Sequence, residues 1–176
     1  TCQCFLEKAT ALLASTDSPE VRQNLEFFIS EVTIYHDGLA HGGFYFPLNY
    51  MEGAHVDFQR LAEWACPVTV KDFQDVVARY NKFPGYVTDV MNIMRAGAAK
   101  GLTSHSVSMK GVAENCRKLA ASPAEESDFY QPFKELKIDS EEDKKMLRES
   151  ALQAIDRNIK PAFLSLAEFL ETEYLK

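Results

Sequence analysis

The sequence predicts an all-α fold, an irregular bundle of about seven helices ending in a long helix kinked at a proline. Three observations carry this. Apolar residues recur at three- and four-residue steps through most of the 176-residue chain. Helix start and stop signals punctuate those runs, and no segment keeps the period of two that a half-buried strand requires. With 46% hydrophobic residues and only eight glycines, there is apolar side chain enough for a substantial core. The length is that of a single domain, residues 1–176.

From Cys2 to Ala14, the residues Phe5, Leu6, Ala9, Leu12 and Leu13 share one face of a first helix. In the following STDSP, Asp17 or Ser18 is an N-cap, Pro19 suits the first helical position and Glu20 favours the positive helix end. Val21, Leu25, Phe28, Val32 and Tyr35 then form a seam that needs another helix across it, fraying at His36 and Asp37 before Gly38. Ala40 to His55, AHGGFYFPLNYMEGAH, has no period at all. A short helix follows from His55 to Cys66 and stops at Pro67. Thr69 and Asp72 read as a capping box for the next helix, which Phe83, Pro84 and Gly85 are expected to break. A new helix, Tyr86 to Lys100, closes at Gly101, and another runs from Val107 to Ala121. The section from Ser122 to Ser140 reads as a loop pinned by Phe129, Tyr130 and Phe133. Ser140 caps the final helix, in which Leu147, Ala151, Ile155, Ile159, Ala162, Leu166 and Leu170 hold helical spacing and Pro161 imposes the kink.

A net charge of -7 and a pI near 5.1 argue against nucleic acid or an anionic membrane as partner, because both need clustered Lys and Arg. No apolar run reaches the roughly 20 residues that a membrane span needs. TCQCFLEK lacks the basic start and apolar stretch of a signal peptide, so an exported chain is expected to have shed its signal. The cysteines Cys2, Cys4, Cys66 and Cys116 fit no common zinc module, whose ligands come in local pairs. They are disulfide candidates that would tie the N-terminus to the body, or, for Cys66 and Cys116, small buried residues.

Four separated blocks carry a family resemblance: PLNYMEGAH at 47–55, DFQDVVARYNKFPGYV at 72–87 running into MRAGAAKGL at 94–102, SDFYQPFKEL at 127–136, and IKPAFLSLAEFLETEYL at 159–175. In this order they resemble the N-terminal half of the mostly helical family known as domain of unknown function 885, from about residue 30 onward. The resemblance implies an all-α fold related to zinc metallopeptidases, often exported. In that family the assignment as peptidases rests on an H-E-x-x-H helix in the C-terminal half, where two histidines hold zinc and the Glu is the base. Here the four histidines are followed by Asp37, Gly42, Val56 and Ser106, so no catalytic residue is carried over.

The residues that are present suggest contact surfaces instead. His36 and His41 are the nearest approach to a metal pair, yet five apart they fall on different faces of a continuing helix, and neither a metal nor another cofactor is expected. Ser104, His105 and Ser106 sit in a linker with no acid placed beside them. Glu52 and His55 stand three apart at a helix entrance, where Glu52 has the alternative of capping that helix. Phe44, Tyr45, Phe46 and Tyr50 either fill the space where the chain crosses over or wall a pocket or partner surface. Phe44, Tyr45, Phe46, Tyr50, Glu52 and His55 are therefore the candidate ligand or partner contacts. The expectation is an extracellular, non-catalytic binding protein that associates with itself or a second chain. The alternatives are the N-terminal part of a processed metallopeptidase needing a separate zinc-bearing chain, and a carrier of a small apolar ligand.

Overall fold

The computed structural model describes residues 1–175, apart from the side chains of Ala62 and Glu63. Among these residues the chain forms seven helices and no strand. They belong to two compact units, Thr1–Tyr45 and Phe46–Lys176. No helix among the described residues is long and apolar enough to cross a membrane.

The first unit is a helical hairpin. Helix α1 spans Cys2–Ser15 and α2 spans Pro19–Ala40. Ser18 begins α2 as its N-cap, its hydroxyl accepting the Val21 N–H at 3.5 Å. The helix does not fray at His36; it continues through Gly38, and the His41 N–H still donates to the Asp37 carbonyl at 3.1 Å. Leu6 and Leu13 of α1 are half-buried, as are Leu25, Ile29 and Val32 of α2, and Ala9 is buried. No residue of α2 is fully buried. Its exposed side chains include Val21, Phe27, Phe28, Ile34, Tyr35 and Leu39, and α1 exposes Phe5 and Leu12.

The second unit contains α3 (Ala54–Trp64), α4 (Val70–Ala98), α5 (Val112–Ala121), the short α6 (Gln131–Lys134) and α7, residues 141–174. The capping box of α4 is formed: Thr69 Oγ1 accepts the Asp72 N–H at 3.2 Å and the Asp72 carboxylate accepts the Thr69 N–H at 2.8 Å. This helix passes straight through Pro84, where the sequence suggests a break. An interior proline costs about 3 kcal/mol. Beyond it, Val87, Val90, Met91 and Met94 continue the buried face begun by Phe73, Val76, Tyr80 and Phe83. Each such burial is worth roughly 1.5–3 kcal/mol, so a continuous helix outweighs the local penalty.

Helix α7 continues past Pro161 and departs from regular α geometry just before it, where the sequence places the kink. It runs as Glu141–Ala154, a π turn at Ile155–Ile159, Lys160–Phe169 and a second π turn at Leu170–Tyr174. The wider turn just ahead of Pro161 accommodates the missing N–H. The section 122–140 is held by its rings as expected, with Phe129, Tyr130 and Phe133 buried. They join Tyr80, Phe83 and Phe163 in the centre of the unit, where the Tyr80 hydroxyl donates to the Phe129 carbonyl at 2.9 Å. The end of α7 is tied to α4 and α5 by two arginine forks. Arg95 grips Glu173 at 2.6 and 2.8 Å while lying over the Phe169 ring, and Arg117 grips Glu171.

The expected disulfides do not form: no bridge joins the cysteines among the described residues. Cys2 and Cys4, two apart on α1, project about 200° from one another. Cys116 is enclosed in the core of the second unit, where burial pushes its thiol up to about 12.

Candidate functional site

The aperiodic stretch 40–55 is built in two pieces. In the first unit, α2 ends at Ala40, His41 closes it, and Gly42 turns the chain at φ +77° into a 3₁₀ turn, Gly43–Tyr45. Phe44 and Tyr45 pack on each other there with ring centroids 4.2 Å apart. The second unit begins at Phe46, so the six candidate contacts do not gather into one site. Phe44 and Tyr45 belong to one unit; Phe46, Tyr50, Glu52 and His55 belong to the other.

Phe46 to Gly53 folds into a closed loop. Asn49 and Glu52 exchange backbone hydrogen bonds at 2.9 and 3.4 Å, and the Asn49 side chain accepts the Met51 N–H at 2.8 Å. Gly53 then turns at φ +113° directly against Leu48, and a Cβ at that position would lie 2.4 Å from the Leu48 Cβ. Only glycine satisfies both demands. Gly53 is also the N-cap of α3, and no side chain caps that helix. Glu52 is exposed, and the capping role open to it is not taken; the Asp57 carboxylate accepts the Gly53 N–H at 2.9 Å.

His55 sits just inside α3, 1% exposed, and its Nδ1 has no hydrogen-bond partner among the described residues. Loss of water pushes its pKa below the usual histidine value, against a smaller opposing pull from Asp57. Its ring is enclosed in the wall of the fold, where burial disfavours the charged form.

Phe46 and Tyr50 line an open cleft of about 450 Å³ with Leu48, Asn49 and Met51. Its opposite side is the segment Thr103, Ser104, His105 and Ser108, held by a Tyr50 N–H to Ser108 carbonyl bond of 2.8 Å. Tyr174 fixes that segment from α7, its hydroxyl accepting the Ser104 N–H at 2.8 Å. Among the described residues the lining carries aromatic, hydroxyl and amide groups and no Asp, Glu, Lys or Arg. Although a serine and a histidine meet here, they form no nucleophile–base pair. The Ser108 hydroxyl donates to the His105 backbone carbonyl at 2.7 Å, and the His105 Nδ1 accepts the Val107 N–H at 3.2 Å.

His36 and His41 are occupied by the end of their own helix. His36 lies 3.7 Å from the Asp37 carboxylate, and the His41 ring contacts the Asp37 carbonyl at 2.8 Å. Among the described residues no three His, Cys, Asp or Glu side chains are grouped to hold a metal ion.

A second surface lies on the hairpin. Cys2 and Phe5 of α1 face Phe28, Glu31, Val32 and Tyr35 of α2 across a groove of about 470 Å³. Its walls are apolar, and Glu31 is the one charged residue lining it among the described residues.

The family model described as "Bacterial protein of unknown function (DUF885)" matches residues 2–176. The chain belongs to this family. No curated protein and no solved structure matches it. The DUF885 match takes in the whole hairpin, whereas the resemblance read from the sequence begins at about residue 30. Within this DUF885 chain, PLNYMEGAH has a physical reading: Leu48, Gly53 and His55 are the buried or sterically bound positions of the closed loop, while Tyr50 and Glu52 face outward.

Sequence reading missed the hairpin groove and the 103–108 side of the cleft. The first had a signal. Phe28 and Tyr35 stand one heptad apart on α2, with Phe5 on α1 already counted as apolar. The second had none, because Tyr50 and Ser108 are joined by backbone groups that every residue carries.

Proposed function

We propose that this DUF885 chain works by binding, as an exported interaction protein whose contact surface is the α1–α2 hairpin and whose partner is a second chain. One observation carries the reading: α2, a helix of 22 residues rich in Phe, Ile, Leu, Val and Tyr, buries none of them fully. Apolar surface this continuous on a helix marks a place where another element packs. The test is the mass of the native protein from its source, measured before and after Phe28→Asp. A complex that Phe28→Asp dissolves supports the reading; a clean monomer with nothing bound overturns it.

Family membership favours a second reading. The resemblance to zinc metallopeptidases is consistent with an N-terminal portion that acts beside a separate chain bearing the H-E-x-x-H helix, which this sequence lacks. Metal analysis separates the two: zinc held by a co-purifying chain supports the second reading, whereas a metal-free complex supports the first.

A further inference from the structure

The hairpin also says something about the chemistry of whatever covers it. Phe5 and Leu12 of α1 and Val21, Phe28, Tyr35 and Leu39 of α2 are all exposed. Summed over their exposed fractions, they present on the order of 600 Å² of side-chain surface, against roughly 800 Å² a side in a standard protein interface. That is the apolar contact of one amphipathic helix, with a polar rim to be supplied around it.

The rim has a sign. The first unit carries Glu7, Asp17, Glu20, Glu26, Glu31 and Asp37 against only Lys8 and Arg22. Glu31 stands in the groove itself, between Phe28 and Tyr35 along the helix, and makes no ion pair among the described residues. A second copy of the chain would bring its own Glu31 and the same net negative charge to the contact, and like charges brought together cost affinity. A helix with Lys or Arg beside its apolar stripe meets the opposite sign.

We infer that the α1–α2 groove is a docking site for a basic amphipathic helix from a different protein, its apolar residues at i, i+3 or i+4 and i+7 seated against Phe5, Phe28 and Tyr35 and a Lys or Arg set beside Glu31. The inference rests on the hairpin being a contact surface, as proposed above, and adds the identity of the occupant. Leucine-striped synthetic helices of about two heptads, identical except for Lys or Glu on the polar face, test it by fluorescence anisotropy with the full chain. The Lys peptide binds at least about tenfold more tightly than the Glu peptide, and salt weakens that binding. Glu31→Lys narrows the preference. Phe28→Asp loses binding of the Lys peptide, and Phe27→Asp, outside the groove, keeps it.

Equal binding of the two peptides, lost in Phe28→Asp, overturns the basic partner and leaves the hairpin as a contact surface. Binding that survives Phe28→Asp in a chain whose circular dichroism is unchanged overturns both. A dimer of the chain that Phe28→Asp dissociates makes the occupant a second copy and overturns the inference while supporting the surface.

Discussion

Helices α2 and α4 are written in the same code and end in opposite circumstances. Both carry large apolar residues at three- and four-residue steps over many turns. Helix α4 buries nine residues, from Phe73 to Gly97, whereas α2 buries none. The difference lies in neighbours. The face of α4 meets α7 and the ringed section around Phe129, while within its unit α2 has the short α1 and the turn Gly43–Tyr45 beside it. Periodicity therefore states which face seeks cover and is silent on what provides it. The second unit answers that need from its own elements; the first unit, taken by itself, does not.

The contrast can be tested by truncating matched rings. Phe133 is wholly enclosed and Phe27 is 68% exposed. Phe133→Ala is expected to cost about 3–5 kcal/mol of stability in urea unfolding, and Phe27→Ala to stay within about 0.5 kcal/mol. A comparable loss at both positions would mean that the hairpin face is covered within the chain, and the comparison would fail.

The closed loop offers the next largest effect. Gly53→Ala is expected to destabilise the second unit by about 1–3 kcal/mol, since it forces a side chain into the left-handed region and against Leu48. Gly101→Ala, also at positive φ but with open space around it, supplies the control for backbone strain without collision. If the two variants melt together, the Leu48 contact contributes nothing.

The smallest effect is one of pH. Burial lowers the folded pKa of His55 below its unfolded value, so the unfolded chain binds the extra proton first. Stability from this group is present above the unfolded value of 6.5 and is lost as pH falls below it. Asp57 is the charged neighbour that softens the slope. His55→Gln is expected to flatten this part of the stability profile between about pH 7 and 5. An unchanged slope would show that His55 takes its proton without opening the fold.

How far the sequence speaks depends on the range of the interaction. The Thr69–Asp72 box, the Ser18 and Ser140 caps and the buried face of α7 are local, and they stand where their residues indicate. Pro84 misleads because its cost is local while the compensation is tertiary, spread over Val87 to Met94. Phe44 to Phe46 misleads differently. Adjacent rings look like one patch, yet a unit boundary falls between Tyr45 and Phe46. The histidine at 55 is visible as a candidate, but a residue name carries no burial, and the side chain is enclosed by the fold.

The two π turns of α7 bear on how the long helix stays aimed at one target. Leu147, Ala151, Ile155, Ile159, Phe163 and Ala167 follow one another at four-residue steps, and all are buried. An ideal α-helix turns by about 100° per residue, so each such step overshoots by about 40° and the stripe would wind off the core within a few turns. A π turn takes more residues per revolution and returns the phase. Ile155–Ile159 and Leu170–Tyr174 thus act as a vernier that keeps the rod in step with α4 and α5. Removing one residue from the first would rotate everything beyond it, swinging Glu171 and Glu173 away from Arg117 and Arg95 without altering a single side chain.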